Sequence, residues 1–241
     1  MLNRVITKVA VSLAFPILGA LSLAAASFTV TPVRVELSAR QLRATLQITN
    51  SGDEKVTIQL HPVLWTLAGG SEALQDTNDV IFNPPIFTIM PHQSQAIRVG
   101  LREFARGNIE ATYRLILEEV PANFDSSSTG LRTILRISIP IFVSPSVQAE
   151  ARLSWDLQRT TDGGATLSVS NNGNAHIQLK RFAMVADGAT DAAFSQNSFV
   201  YLLPGERKQW AVGSGHLSGQ NEFVLQAATD GGAVRESLTL H

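Results

Sequence analysis

An all-β chain of two sandwiches in tandem is the fold this sequence predicts. Three observations carry it. Apolar and polar residues alternate with period two over most of the 241 residues. Turn residues separate the alternating runs at intervals of about ten positions, the spacing of sandwich strands. Beyond the N-terminal segment, no stretch keeps a helical period for three turns. Hydrophobic residues make up 44% and charged residues 16%, which suits a packed core and not a disordered polymer. The absence of cysteine excludes disulfides, thiol catalysis and thiolate metal sites. A formal net charge of −1 argues against a general nucleic-acid binder.

The first 26 residues read as a signal and not as fold. Arg4 and Lys8 form a basic start, Val9 to Leu23 an apolar run, and Ala24 and Ala26 the small residues of a cleavage site before Ser27. Pro16 and Gly19 interrupt the run, which barely reaches the ~20 residues that a membrane span needs. Cleavage would remove two positive charges and release an exported chain. No later segment is apolar enough to span a membrane, so no membrane insertion of the mature chain is expected.

The strands follow in order. Phe28–Leu37 opens the first set. Leu42, Ala44, Leu46 and Ile48 alternate with polar residues through Leu42–Asn50, and Val56, Ile58 and Leu60 do so through Lys55–Trp65. Ile86–Met90, Ala96–Leu101, Ala111–Glu119 and Leu131–Val143 complete seven strands, separated by turns such as Asn50-Ser51-Gly52-Asp53 and Pro84-Pro85. Seven short strands make an immunoglobulin-like set. A break falls at Ser144-Pro145-Ser146. The second set runs Ala149–Gln158, Ala165–Asn171, Ile177–Val185, Ser198–Leu203, Arg207–Val212, Glu222–Thr229 and Val234–Leu240. The expected division is therefore a signal over 1–26, one sandwich over 27–145 and another over 146–241.

The last strand of the first set is unusually long. Thirteen positions at ~3.4 Å each would span roughly 44 Å. Leu131, Leu135, Ile137, Ile139, Ile141 and Val143 share one face with Thr133, and Arg132, Ile134, Arg136, Ser138, Pro140 and Phe142 share the other. Pro140 cannot donate to a ladder and marks an edge or a bulge. A long apolar edge is an aggregation hazard unless something pairs with it. The polar stretch Pro121 to Gly130 before it reads as an exposed loop.

Enzyme chemistry is not evident. The five histidines, at 61, 92, 176, 216 and 241, lack the spacing of a helical zinc site. His176, after a turn of asparagines and glycine, is expected to be structural. Glu118 and Glu119 point to opposite faces of a strand. Asp-Gly-Gly at 162–164 and 230–232 signals hairpins, not phosphate cradles. No metal site, cofactor or catalytic residue is expected. The three tryptophans, Trp65, Trp155 and Trp210, lie in strand contexts that suit core packing.

Several motifs in order resemble the PapD-like family of periplasmic pilus chaperones. NPPIFTIMPHQSQAIRVG, Asn83 to Gly100, resembles its proline-proline and arginine signature, and EATYRLILEEVP, Glu110 to Pro121, one of its strands. TPVRVEL, Thr31 to Leu37, is similar to its first strand around a key arginine. RISIPIFVSP, Arg136 to Pro145, ends the first domain as the family does. LSVSNNGNAHIQLKRF, YLLPGERKQW and AATDGGAVRESL resemble its C-terminal half.

The resemblance implies two immunoglobulin-like domains set at an angle, boomerang fashion. It also implies a non-enzymatic chaperone of the periplasm that binds pilus or fimbrial subunits and passes them to an outer-membrane usher. Its mechanism would be strand donation, for which the family is a known example. By position the donated side chains would be Leu131, Thr133, Leu135 and Ile137. Arg34 would anchor the subunit's C-terminal carboxylate. The family's second anchor, a lysine, falls on Pro140; Arg136 or Arg132 is left to substitute. Glu110 and Asp230 match two acidic members of an interdomain network whose basic member falls on Ser144. Whether the free chain caps its edge as a homodimer stays open. The rival reading is a structural pilin or adhesin of tandem immunoglobulin-like domains, against which stands the near absence of an extension before Phe28. A carbohydrate-binding or enzymatic sandwich would need converging acids or an exposed aromatic platform.

Overall fold

The computed structural model describes residues 28–103, 107–121, 134–186, 188–217 and 219–241. The segment 1–26 and the loop residues 122–130 lie outside them. The chain is all-β, and its strands form two immunoglobulin-like sandwiches.

The first sandwich holds β1 (Phe28–Thr31), β2 (Val35–Leu37), β3 (Arg43–Asn50), β4 (Val56–Ala68), β5 (Ser71–Asp76), β6 (Val80–Asn83), β7 (Ile86–Ile89), β8 (Ser94–Leu101), β9 (Ala111–Val120) and β10 (Arg136–Val143). One sheet runs β1-β3-β8-β6; the other runs β2-β10-β9-β4-β5, with β7 also on β4. Alternation does what period two requires: Leu46, Ile48, Ile58, Ile97, Leu115, Leu117 and Ile141 are buried between the sheets.

Three expectations change here. The first strand is two strands: β1 pairs antiparallel with β3, and β2 pairs parallel with β10 in the opposite sheet. Pro32 has no N–H to continue the ladder, so the chain crosses over at 32–34. β4 outruns Trp65 and turns at Gly69 and Gly70, both at positive φ (60° and 83°), into β5. The sequence hid β5 because SEALQD is exposed at nearly every position and carries no alternation. β6 was hidden by its brevity. β10 is described from Arg136, not from Leu131.

The second sandwich holds β11 (Leu153–Arg159), β12 (Ala165–Asn171), β13 (Ile177–Ala186), β14 (Ala192–Leu202), β15 (Arg207–Val212), β16 (Glu222–Thr229) and β17 (Gly232–Thr239). Its sheets are β11-β12-β15 and β14-β13-β16-β17. Trp155, Phe182, Met184, Leu202 and Phe223 are buried between them, with Trp210 packed alongside.

Both sandwiches use one turn device. After β3, the buried Asn50 side chain donates to the carbonyls of Glu54 (2.7 Å) and Ile89 (3.2 Å) and accepts from the Gly52 N–H (3.0 Å). After β12, Asn171 donates to Ala175 (2.8 Å) and Leu202 (3.0 Å) and accepts from Gly173 (3.0 Å). A β-carbon on Gly173 would lie 2.1 Å from the Glu150 carbonyl oxygen, so only glycine fits. Removing Asn171 leaves two buried carbonyls without their donor, and removing Asn50 leaves one buried and one partly buried carbonyl. At about 1–3 kcal/mol per unsatisfied buried group, Asn171→Ala should cost about 2–6 kcal/mol and Asn50→Ala about 1–3 kcal/mol, measured by urea unfolding; a loss under ~0.5 kcal/mol would refute the role.

Candidate functional site

The site begins with an asymmetry in β10. On one side β10 pairs with β9 along its whole length, from Arg136 opposite Glu118 to Val143 opposite Ala111. On the other side β2 reaches only Ile141, Phe142 and Val143. From Arg136 to Pro140 that second edge has no strand beside it among the described residues. Pro140 lies one residue before this pairing starts, so the missing N–H interrupts no ladder there. Ile137, Ile139, Ile141 and Val143 face the core, and Leu135 packs against it just ahead of the strand. The Glu119 N–H donates to the Leu135 carbonyl at 3.0 Å, which extends the pairing past the strand's start. Ile134, on the other face, is 45% exposed.

That other face looks toward the second sandwich, and it gathers cations around Pro140. Arg114 on β9 is the cross-strand partner of Pro140. Arg34 directly precedes Val35, whose partner is Ile141, so it continues the row on the opposite side. The two arginines therefore stand two strand spacings apart, about 10 Å between backbones at ~4.8 Å each. Arg34 Nη1 donates to Asp230 Oδ2 at 2.7 Å and its Nε lies 3.0 Å from Glu36 Oε1. The Arg114 guanidinium sits 3.7 Å from the Trp65 ring centroid, a cation–π contact, with Nη2 3.3 Å from Glu72 Oε2.

The joint between the sandwiches is an aromatic cluster ringed by ion pairs. Trp65, Phe142 and Leu203 are buried together, with Leu67 and Tyr201 against them. Trp65 thus packs not in a sandwich core but on the outer face of β4, where Tyr201 meets it edge-on at 6.0 Å. Its Nε1 donates to Glu72 Oε2 at 3.1 Å. Glu72 also receives Lys208 Nζ at 3.2 Å, and Lys208 pairs with the buried Glu206 at 2.6 Å. Burial opposes the charge on Lys208, but Glu206 and Glu72 outweigh it and hold its pKa above the usual lysine value. Glu110 Oε2 lies 2.7 Å from His176 Nδ1 and accepts the His176 N–H at 2.7 Å. The His176 ring stacks on Phe142, centroids 3.4 Å apart and planes 7° from parallel. Glu110 and Asp230 thus each contact the opposite sandwich.

Of the other residues singled out by sequence, Leu131, Arg132 and Thr133 lie outside the described residues. Arg136 is exposed four positions from Pro140, about 13 Å along the strand at ~3.3 Å per residue. Arg114, Glu72 and the Trp65–Phe142 contact were not singled out. Arg114 stood within the strand that resembled the family, yet nothing in one sequence tells which residue lies across from Pro140. Among the described residues no group of three or more metal-ligating side chains gathers, and no helix is long and apolar enough to cross a membrane.

The fold and this edge define a class. Residues 27–148 match the family model described as "Pili and flagellar-assembly chaperone, PapD N-terminal domain". That match spans half of the chain, and the protein belongs to this family of assembly chaperones. No curated protein sequence matches it. Solved structures share the fold over nearly the whole chain. One is a chain of the CsuC–CsuE chaperone–tip adhesion subunit pre-assembly complex from the archaic chaperone-usher Csu pili of Acinetobacter baumannii. It has 19% identity and a TM-score of 0.65, and the match covers 90% of this chain and 100% of that one. Another is a chain of the Salmonella enterica SafA pilin–SafB chaperone complex, at 17% identity and TM-score 0.59, covering 89% and 97%. The Escherichia coli chaperone DraB matches at 17% and 0.57, covering 90% and 98%.

The Asp230 carboxylate gives the joint a pH signature. Burial alone would raise its pKa, but the Gln178 N–H and the Arg34 guanidinium outweigh burial and hold it below the usual aspartate value. A depressed carboxylate contributes stability in full above its unfolded pKa of ~3.9, and loses it as pH falls through the lower folded value. The stability lost in Asp230→Asn, read by urea unfolding, should therefore be constant from pH 7 to about 4.5 and shrink below ~3.9. A difference that does not shrink in acid would refute the pairing.

Proposed function

We propose that this protein is a periplasmic chaperone that lends the free edge of β10 to a pilus subunit lacking a strand, then delivers it to an outer-membrane usher. The observation that carries the reading is the half-paired β10, whose core-facing row continues outward through Ile137 and Leu135. Such an edge is a template for another chain's strand, and backbone pairing gives affinity while alternate side chains give fit. The donated row runs Leu131, Thr133, Leu135 and Ile137, ahead of the point where β2 takes over.

The end of the subunit would lie where the edge closes. There Arg34 and Arg114 flank Pro140 and form a clamp for a C-terminal carboxylate. Two guanidinium forks suit one carboxylate, and each charge-assisted bond contributes about 1.5–3 kcal/mol. Arg114 supports this role better than Arg136, which is farther along the strand. Export to the periplasm follows from the N-terminal signal, and N-terminal sequencing of the periplasmic protein should begin at Ser27.

Co-expression with a pilus subunit, followed by pull-down, tests the reading. The wild-type chain should yield a one-to-one complex. Leu135→Glu should abolish it while leaving the free chain folded, because a buried carboxylate cannot fill an apolar pocket. Arg34→Ala and Arg114→Ala should each lower capture at least tenfold. Wild-type capture by Leu135→Glu would overturn the strand assignment, and wild-type capture by both arginine variants would overturn the clamp.

A further inference from the structure

We infer that His176 is a positioning residue that braces β10 from the opposite sandwich, acting through Glu110 and Phe142. Three carboxylates, Glu36, Glu110 and Asp230, line one cavity at the joint together with Ser144 and His176. Arg34 serves two of them, Glu36 and Asp230. Glu110, whose side chain is 5% exposed, is served by His176 instead. One of its oxygens takes both the backbone N–H and the ring of this one residue.

Because that oxygen is a carboxylate acceptor, His176 carries a proton on Nδ1, and the ring is thereby fixed in one orientation. Fixed so, its face lies flat on Phe142. Phe142 is the last inter-sandwich side chain of β10, on the stretch that β2 also holds. The same histidine therefore joins a buried acid before β9 to the anchored end of β10. Its own backbone is held by the Asn171 turn, and the Asn174 carbonyl accepts the Glu110 N–H at 2.9 Å. Asn174 Nδ2 donates in turn to the Asn108 carbonyl at 3.1 Å. The brace is thus rigid on the second sandwich and grips the first at two points, one polar and one aromatic.

A donor at position 176 is what the arrangement requires, and the ring adds the stack. Replacing the donor alone leaves a buried carboxylate short of a partner, the costly kind of loss. The cavity offers a place to restore it from the other wall. An arginine at 144 would extend from the end of β10 toward Glu110 without altering the second sandwich.

Hydrogen–deuterium exchange of the free chain tests this, with peptides covering 107–112 and 136–143 as the readout. The measurement stands whether or not the cleft takes a subunit's terminus. His176→Phe keeps a ring on Phe142 and removes the Nδ1 donor; exchange in both peptides should rise at least tenfold. His176→Asn keeps a donor near the Nδ1 position and loses the stack; exchange should stay within about threefold of wild type at 107–112. Ser144→Arg combined with His176→Phe should return 107–112 to near wild-type protection, a rescue that a merely space-filling histidine would not show. Peptides from β12 and β16 should be unchanged in all variants, which checks that the second sandwich is folded. Wild-type protection in His176→Phe, or failure of Ser144→Arg to rescue it, would overturn the inference.

Discussion

Everything in this molecule turns on β10 being a core strand at one end and an edge at the other. A strand that faced solvent along its whole length would aggregate or fray. A strand paired on both sides throughout would have nothing to offer. β2 settles the matter with three residues: it covers Ile141 to Val143 and stops. The crossover at 32–34 is what makes β2 short, since it diverts the chain from the first sheet to the second just before Val35. The same crossover carries Arg34 to the boundary between covered and uncovered strand. One feature thus sets where, among the described residues, the free edge ends and puts a cation there.

The joint between the sandwiches keeps that boundary in place. Its aromatic centre supplies non-directional burial, and directional bonds surround it. Buried ion pairs are poor sources of net stability, because desolvation offsets their attraction, but breaking one partner is costly. The buried Glu110–His176 hydrogen bond and the partly exposed Arg34–Asp230 pair are therefore better read as fixing how the sandwiches meet than as holding each together. Both arginines beside Pro140 are tied across the joint, Arg34 through Asp230 and Arg114 through Glu72, which also receives Lys208. A carboxylate entering between them would meet guanidinium groups already partly neutralised and held in place.

Much of this was legible in the sequence because period two is a local signal. The alternation at 42–49 and at 56–60 marked core strands, and the parity of 134–143 holds residue by residue. Pro140 marked a place where pairing changes. What stayed hidden depends on which strands become neighbours. Trp65 looks like any buried strand residue, yet parity puts it outside its own core, where Phe142 and Arg114 flank it and Leu203 and Tyr201 of the second sandwich close over it. Arg114 matters because it faces Pro140 and lies over Trp65, and both facts are registers between distant segments. β5 has no apolar face at all, and exists because the Gly69-Gly70 turn folds it back on β4. The split of the first strand was signalled by a change of phase, since Phe28 and Val30 are buried at even positions and Val35 and Leu37 at odd ones, but a single strand drawn from Phe28 to Leu37 passes over it.

The asparagine turns of the two sandwiches carry a last consequence. The device after β3 recurs after β12 with glycine at the same offset, so the two halves share one turn plan. Their outputs differ. Position for position, Lys55 in the first copy corresponds to His176 in the second, and Lys55 is exposed to water. Of the two turns, the one bearing His176 faces the other sandwich. The halves are therefore alike in this turn but not exchangeable in order: a chain permuted to place the second sandwich first would still fold two sandwiches, yet would lose the short link of residues 144–152 that joins β10 directly to β11.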